Sequence, residues 1–230
     1  MKVLVSNFDY AFYNLEYFDN IDAVNEFVDA GNLFVIATAR NITQLEEELT
    51  GFIVPYSILI CDDGAIIYDS GENILSKNPL NKEDAFDVFK VLDKERSISE
   101  VYIDNALEHT VSHEERAFKI IAKPTDYEKA PQLLEKLQKK YPMVKGYINE
   151  SWIHITNEKV SKGSAVDFIT SYYGLNPKDV YVIGSAVNDL SMMEKYESFA
   201  LEESDVEIKE KANHVVRSFK EVVDLLLKPE

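Results

Sequence analysis

Three apolar segments of the sequence end in polar residues whose types are suited to chemistry. The polar ends occupy residues 7–9, 38–40 and 184–189, and they contain carboxylates, amides, hydroxyls and one guanidinium. In an open α/β sheet the working site lies at the carboxyl ends of the parallel strands. We therefore expect these three ends to meet in one site.

The elements that must position this site follow a β–α alternation. Residues 33–39 form a continuous apolar run, which is typical of a parallel strand covered on both faces. Residues 20–30 place apolar side chains at helical spacing, and Gly31 supplies a stop. The alternation resumes after Lys162 and ends in a helix predicted over 220–227. This pattern predicts a doubly wound, Rossmann-like α/β core with a parallel sheet.

The pattern changes between the first and last parts of the chain. Two amphipathic helices, predicted over residues 83–95 and 127–141, each precede a pair of short strand-like segments. This order predicts a small inserted α+β module of the type αββαββ. We therefore predict a core domain formed by residues 1–80 and 157–230 and a cap domain formed by residues 81–156.

Composition limits the partners of this protein. The 230 residues carry 24 basic and 41 acidic side chains, a formal charge of −17, which repels nucleic acid and anionic membranes. A phosphorylated ligand would need a local concentration of positive potential. No apolar run approaches the ~18 residues of a membrane span, and the N-terminus lacks the features of a signal peptide. A single cysteine, Cys61, fits a reducing cytoplasm and a core position.

Four segments stand in order along the chain: Ser6-Asn7-Phe8-Asp9, Ile36-Ala37-Thr38-Ala39-Arg40, Val160-Ser161-Lys162-Gly163 and Gly184-Ser185-Ala186-Val187-Asn188-Asp189. They resemble the motifs of phosphatases of the haloacid dehalogenase-like (HAD) superfamily, in particular the Cof-like subfamily with a type II cap. Asp63-Gly64-Ala65 also resembles the turn after the third strand of this subfamily. Order and spacing agree over nearly the whole chain, and the predicted cap lies between the second and third motifs.

The resemblance implies a role for each polar residue. In active relatives the first of two aspartates attacks phosphorus, and the second protonates the leaving oxygen and activates water. Asp9 occupies this second position. The resemblance places Thr38 at a phosphoryl oxygen and Lys162 where it neutralises negative charge. It also implies Arg40 and Asn188 for substrate, and Asp9 and the position of Ser185 for Mg²⁺. Asp189 would help to hold Mg²⁺ or would orient Lys162.

The departures from the family pattern concern the chemistry itself. Asn7 stands at the nucleophile position, Ser185 replaces the leading metal-site aspartate, and Tyr10-Ala11 replaces a Gly-Thr pair. A carboxamide is a poor nucleophile, and Mg²⁺ prefers anionic oxygens. We therefore expect weak or absent Mg²⁺ binding and a catalytically impaired protein.

Plainer interpretations stay open for several of these residues. Asn7 could be a strand-end turn residue, Lys162 a solvated lysine, and Asn188 with Asp189 a helix start. Arg40 could equally be salt-bridged. For the polar loop between the first two strands of the cap, we favour a solvated loop over a role in substrate specificity. For His154 and Trp152 we favour packing or a hinge role. The loop residues are His109, His113, Glu108, Glu114 and Glu115.

Three functions compete at this point. The first is an impaired HAD-type protein that keeps phosphorylated-ligand binding, with an unknown protein partner. The second is an active Mg²⁺-dependent phosphatase acting on sugar or other small phosphate esters. The third, a receiver-like or nucleotide-binding module, is disfavoured because no G-x-G-x-x-G loop follows the first strand.

Overall fold

Two β-sheets organise the chain in the computed structural model, which describes residues 1–112, 116–149 and 151–228. The strands are β1 (Val3–Asn7), β2 (Leu33–Ala37), β3 (Ile58–Cys61), β4 (Ile66–Asp69), β5 (Ile74–Lys77), β6 (Ile98–Asp104), β7 (His109–Thr110), β8 (Lys119–Pro124), β9 (Val144–Asn149), β10 (Trp152–Asn157), β11 (Val180–Gly184), β12 (Glu197–Leu201) and β13 (His214–Val216). The α-helices are α1 (Tyr17–Asp29), α2 (Ile42–Leu49), α3 (Lys82–Asp93), α4 (Ala130–Lys140), α5 (Lys162–Tyr172), α6 (Leu190–Met193), α7 (Val206–Lys211) and α8 (Phe219–Leu227).

The larger sheet forms the core and runs in the order β13-β12-β11-β1-β2-β3-β4-β5. Its first six strands in this order are parallel, whereas β4 and β5 are antiparallel to their neighbours. Leu4 faces an apolar cluster that includes α1, α2 and α8, while Val3 and Val5 face one that includes α5, α6 and α7. Helices therefore cover both faces, and the doubly wound α/β prediction is confirmed.

The smaller sheet is antiparallel, in the order β7-β6-β8-β10-β9, and packs against α3 and α4 through a separate apolar cluster. The structure has one strand more than the predicted αββαββ order. The additional strand is β7, which forms within the segment predicted as a loop. His113, Glu114 and Glu115 lie outside the described residues. The domain boundaries at residues 81 and 156 stay a prediction.

Several elements differ from the sequence prediction. The edge strand β5 and the short helix α7 were not predicted, because partly exposed edge strands and six-residue helices carry little periodic signal. A 3₁₀ turn at Val187–Asp189 leads directly into α6. Cys61 is buried in the core, as predicted. Among the described helices, none has both the length and the apolar character needed to cross a bilayer.

Candidate functional site

Asn7 ends β1, and its side-chain amide lies at the centre of a polar cluster. Its Oδ1 accepts a hydrogen bond of 2.7 Å from Lys162 Nζ. Its Nδ2 donates to the backbone oxygen of Asp9 at 2.8 Å and to Ser185 Oγ at 2.6 Å. An ammonium only donates and a carbonyl only accepts, so these partners determine which way the amide points. All hydrogen-bonding groups of the amide are therefore in use.

Lys162 reaches this cluster from the first turn of α5. Ser161 caps the helix by accepting a hydrogen bond from the backbone of Ser164. The helix start packs closely against Ser191, since a Cβ at Gly163 would lie 2.0 Å from the Ser191 backbone oxygen. Lys162 Nζ lies 2.6 Å from Asp189 Oδ1 and both side chains are buried. One cation and one carboxylate thus balance each other here.

Asp189 is also held by the backbone of the strand that precedes it. Its Oδ2 accepts hydrogen bonds from the backbone N–H groups of Ser185 at 2.8 Å and Ala186 at 2.9 Å. Ser185 Oγ donates to the backbone oxygen of Asp9 at 3.0 Å. The end of β11 is therefore joined directly to the end of β1, as expected for neighbouring parallel strands.

The carboxylate of Asp9 pairs with Arg40 at the end of β2. Arg40 Nη2 lies 2.7 Å from Asp9 Oδ1, and Arg40 Nε donates to Asp9 Oδ2 at 3.1 Å. Arg40 Nη1 pairs with Glu48 at 3.0 Å. The hydrogen bond to Asp9 is the main cause that raises the pKa of Arg40. Arg40 is therefore a salt-bridged arginine in this structure, one of the two alternatives that the sequence left open.

Thr38 is buried beside this ion pair. Its Oγ1 accepts a hydrogen bond from the backbone N–H of Arg40 at 3.1 Å, and its backbone N–H donates to Ile60 on β3. Tyr10 follows Asp9 with a φ of +65°, a left-handed conformation that costs a non-glycine residue roughly 1–2 kcal/mol. The replacement of the family's glycine by Tyr10 therefore leaves a strained backbone next to the site.

The model of the haloacid dehalogenase-like hydrolase family matches residues 18–109 and 97–224. This chain belongs to that family. The matched residues begin after Asn7 and Asp9, so the assignment does not depend on the altered first motif. Because the matched residues extend along most of the chain, the match supports the predicted resemblance to Cof-like, phosphatase-like members of the HAD superfamily.

Individual relatives agree with the family assignment. The HAD chain is 23% identical to the 5-amino-6-(5-phospho-D-ribitylamino)uracil phosphatase YwtE of Bacillus subtilis, over 87% of this chain and 86% of that protein. A HAD-superfamily phosphatase structure from Bacteroides thetaiotaomicron superposes with a TM-score of 0.82 at 17% identity, covering 98% and 94% of the two chains. The HAD subclass IIB sugar phosphatase BT4131 gives a TM-score of 0.79 at 18% identity, covering 98% of each chain. These similarities establish the fold.

Members of the family generally use Mg²⁺, and the residues at this site fit the ion poorly. The side chain of Asn7 turns its N–H groups toward Ser185 and Asp9, and its neutral oxygen already accepts from the Lys162 ammonium, whose positive charge repels a metal cation. The carboxylates of Asp9 and Asp189 bind Arg40 and Lys162. Within the described residues there is no group of three or more His, Cys, Asp or Glu side chains arranged to hold a metal.

A second buried lysine was not singled out by the sequence. Lys119, at the start of β8, donates to the backbone oxygen of Ala39 and lies 3.6 Å from Asp62 Oδ1 and 3.5 Å from Asp63 Oδ2. Asp104 at the end of β6 lies in the same charged group. We call Asp62, Asp63, Asp104 and Lys119 the Lys119 cluster. A lysine inside the apolar run of residues 117–122 was the available signal, because lysine is rarely buried without a partner.

The Lys119 cluster contains more acid than base. Burial is the main cause that raises the pKa of Asp62 well above its usual range, with Asp104 and Asp63 adding to the effect. Neither carboxylate oxygen of Asp62 has a hydrogen-bond partner among the described residues. Burial also opposes ionisation of Asp63, yet Lys119 and Lys162 outweigh it and lower the pKa of Asp63. The environment therefore favours the protonated form of Asp62 and the ionised form of Asp63.

Asn188 joins the Lys119 cluster instead of the Asn7 amide. Its Nδ2 donates to Asp63 Oδ1 at 2.8 Å, and Tyr147 on β9 donates its hydroxyl to Asp63 Oδ2 at 2.8 Å. Asn41 Nδ2 donates to Asp104 at 3.2 Å, which links the start of α2 to the smaller sheet. The predicted site residues thus divide between two adjoining clusters, both at strand ends of the core sheet.

Proposed function

We propose that this chain is a HAD-type phosphatase-like protein with little or no phosphatase turnover, which acts in the cytoplasm and keeps weak affinity for a phosphorylated small molecule. The observation that carries the proposal is the amide of Asn7. It stands at the nucleophile position implied by the family, and each of its hydrogen-bonding groups is occupied.

The chemistry of this arrangement opposes a covalent reaction with phosphorus. The amide oxygen of Asn7 carries no formal charge, and its lone pairs face the Lys162 ammonium. The Asp9 carboxylate, at the acid/base position, is held by a bidentate ion pair with Arg40. Removing a catalytic nucleophile in a hydrolase costs on the order of 10⁶ in rate. We infer that turnover on phosphate esters falls near the limit of detection.

The same arrangement argues for weak Mg²⁺ binding. Mg²⁺ usually takes one or two carboxylates together with water and phosphate oxygens. Ser185 contributes a hydroxyl where the family pattern has an aspartate, and that hydroxyl donates to the backbone of Asp9. Residues Asn7 and Ser185 together remove two negative charges from the position where the ion would sit.

Binding of a phosphate group would have to compete with existing ion pairs. Lys162 is paired with Asp189, and Arg40 with Asp9 and Glu48. A phosphate that approaches Thr38, Arg40 and Lys162 must therefore displace or share carboxylates. Together with the net charge of −17, this supports weak affinity for the phosphate alone.

The competing proposal is an active Mg²⁺-dependent phosphatase for sugar or other small phosphate esters. The family membership favours it, as does the similarity to proteins named as phosphatases. Such an enzyme would have to use Asp9 or a water molecule in place of the missing nucleophile. Breaking the pair between Asp9 and Arg40 would be its first requirement.

Phosphate release from a panel of phosphate monoesters, with and without Mg²⁺, decides between the two proposals. We expect no Mg²⁺-dependent turnover above background from the wild-type protein. The Asp9→Asn variant serves as the matched control, because an impaired protein should give the same background with either residue. Turnover that requires both Mg²⁺ and Asp9 would overturn the proposal and establish the active phosphatase.

A further inference from the structure

A pocket of about 330 Å³ opens between the two sheets, next to Arg40. The core contributes Arg40 and its neighbours to one wall, whereas β6, β7, β8 and β10 form the rest. Four aromatic side chains dominate the lining, together with Ile121; they are Tyr102, His109, Trp152 and His154. The volume falls at the lower end of small-molecule sites, about 300–1,000 Å³.

The rings of the wall form two groups, each held by ring contacts. Tyr102 stacks on His109 with 6.0 Å between ring centroids and 20° between planes, and it lies 6.3 Å from Trp152. His154 stacks on Tyr147 at 4.9 Å and 6°. Because each ring is supported by another, these flat faces are held in place before any ligand arrives. Flat apolar faces bind other flat rings by stacking.

The charged groups of the pocket are already paired. Arg40 pairs with Asp9 and Glu48, Lys119 with the carboxylates of its cluster, and His109 with Asp104 at 3.1 Å. Burial is the main cause that lowers the pKa of His154 to about 4, so this ring is neutral near pH 7. His154 Nδ1 is buried without a hydrogen-bond partner among the described residues, and one such atom does not meet the several donors and acceptors that a polyhydroxylated sugar needs.

We propose that this pocket binds a flat aromatic or heteroaromatic ring, which forms the body of the phosphorylated ligand. The inference rests on the proposed function, which supplies the phosphate group of the ligand. It adds the chemical class of the group that the phosphate is attached to. The ring supplies most of the affinity, because the cations near the phosphate are paired. Stacking against several rings contributes without any change of charge in the pocket.

The protein carries its own reporter for this pocket, since Trp152 is its single tryptophan. Tryptophan emission would be titrated with uridine and adenosine 5′-monophosphates, ribose 5-phosphate, uridine and inorganic phosphate, and affinities confirmed by calorimetry. Each nucleotide differs from ribose 5-phosphate by its base. We expect at least one nucleotide to change Trp152 emission and to bind at least tenfold more tightly than ribose 5-phosphate.

The outcomes separate this inference from the proposed function. If ribose 5-phosphate binds as well as both nucleotides, the ring is irrelevant and the inference fails, while retained phosphate binding stands. If uridine binds as well as its monophosphate, the ring inference stands and phosphate recognition fails. If no nucleotide changes the emission or binds, the inference is overturned.

Variants test whether the wall itself recognises the ring. Tyr102→Leu removes the ring that contacts both His109 and Trp152 yet keeps the reporter. We expect nucleotide affinity to fall roughly three- to tenfold and Tyr102→Phe to restore it. Tyr127→Leu, at an exposed ring outside the pocket lining, should bind as the wild type does. Equal affinities of Tyr102→Leu and Tyr127→Leu would contradict the proposal.

Discussion

Two buried lysines, Lys162 on α5 and Lys119 on β8, meet different numbers of acidic groups near strand ends of the core sheet. Lys162 faces one carboxylate, Asp189, and the neutral amide of Asn7. Lys119 faces the carboxyl groups of Asp62 and Asp63 and is influenced by Asp104. The first cluster is balanced, whereas the second carries excess acid, and its burial raises the pKa of Asp62.

The difference shows where negative charge has been lost and where it persists. The cluster around Asn7 lacks the two acids that the family pattern has at the positions of Asn7 and Ser185. The side chains of this cluster form hydrogen bonds with one another. The Lys119 cluster keeps its acids buried between the two sheets, where they bind Tyr147, Asn188 and Asn41. The first cluster therefore differs from the family pattern in the charges that the proposed loss of turnover depends on, and we infer that the second holds the sheets together.

Restoring acids to the first cluster should produce the largest effect. The variant Asn7→Asp combined with Ser185→Asp returns the two missing carboxylates. We expect Mg²⁺-dependent hydrolysis of p-nitrophenyl phosphate to rise at least ~10³-fold above wild type, a part of the roughly 10⁶-fold that a nucleophile contributes. Ser185→Asp alone, which restores the metal ligand without the nucleophile, should stay near background. A folded but inactive double variant would show that Tyr10-Ala11 or the smaller sheet also blocks the reaction.

Removing Lys119 should strongly destabilise the second cluster. Lys119→Met leaves buried carboxylates without their cation, a change that typically costs about 3–5 kcal/mol in the free energy of unfolding. Lys123→Met, on the same strand with a half-exposed pair to Glu100, should cost less than about 1 kcal/mol. Urea denaturation measures both. Similar losses in the two variants would contradict a structural role of the cluster.

Removing the Tyr147 hydroxyl tests a single bond of the second cluster. Tyr147→Phe deletes the hydrogen bond to the ionised Asp63, which should lower the free energy of unfolding by about 1.5–3 kcal/mol. Tyr172→Phe, at an exposed ring, should change it little. Thermal denaturation of both variants gives the comparison, and an unchanged melting temperature for Tyr147→Phe would show that Asp63 does not depend on this bond.

The proton on Asp62 should appear as a pH dependence of stability. The folded protein keeps Asp62 protonated at pH values where the unfolded chain, with an aspartate pKa of about 3.9, has ionised. The contribution of Asp62 to the free energy of unfolding therefore decreases as pH rises above about 4. The decrease is about 1.4 kcal/mol for each pH unit until the pKa of Asp62 in the folded protein is passed. Asp62→Asn removes this loss, so its stability relative to wild type should increase between pH 5 and pH 7.

Urea denaturation at pH 5, 6 and 7 measures this difference. Asp93→Asn, at an exposed position near the end of α3, is the matched control and should follow the wild-type curve. A constant difference between Asp62→Asn and wild type over this range would mean that Asp62 is ionised in the folded protein.

The sequence was sufficient for the parallel strands of the core and for bringing the residues of the first cluster together. Continuous apolar runs predict parallel strands, and the carboxyl ends of such strands meet, so Asn7, Ser185 and Asp189 could be placed together in advance. Lys162 was placed there by its family motif. Their residue types alone indicated that two acids were missing. These features depend on local pattern and on one general rule of sheet topology.

Only the tertiary structure decided the second cluster and the ring-lined pocket. Asp62, Asp104, Lys119 and Tyr147 are far apart in the chain, and nothing in local periodicity relates a side chain of one sheet to a side chain of the other. Their contacts depend on how the inserted sheet docks against the core. Docking also determined that Arg40 lies beside the aromatic pocket, because packing between separate sheets is a property of the whole fold.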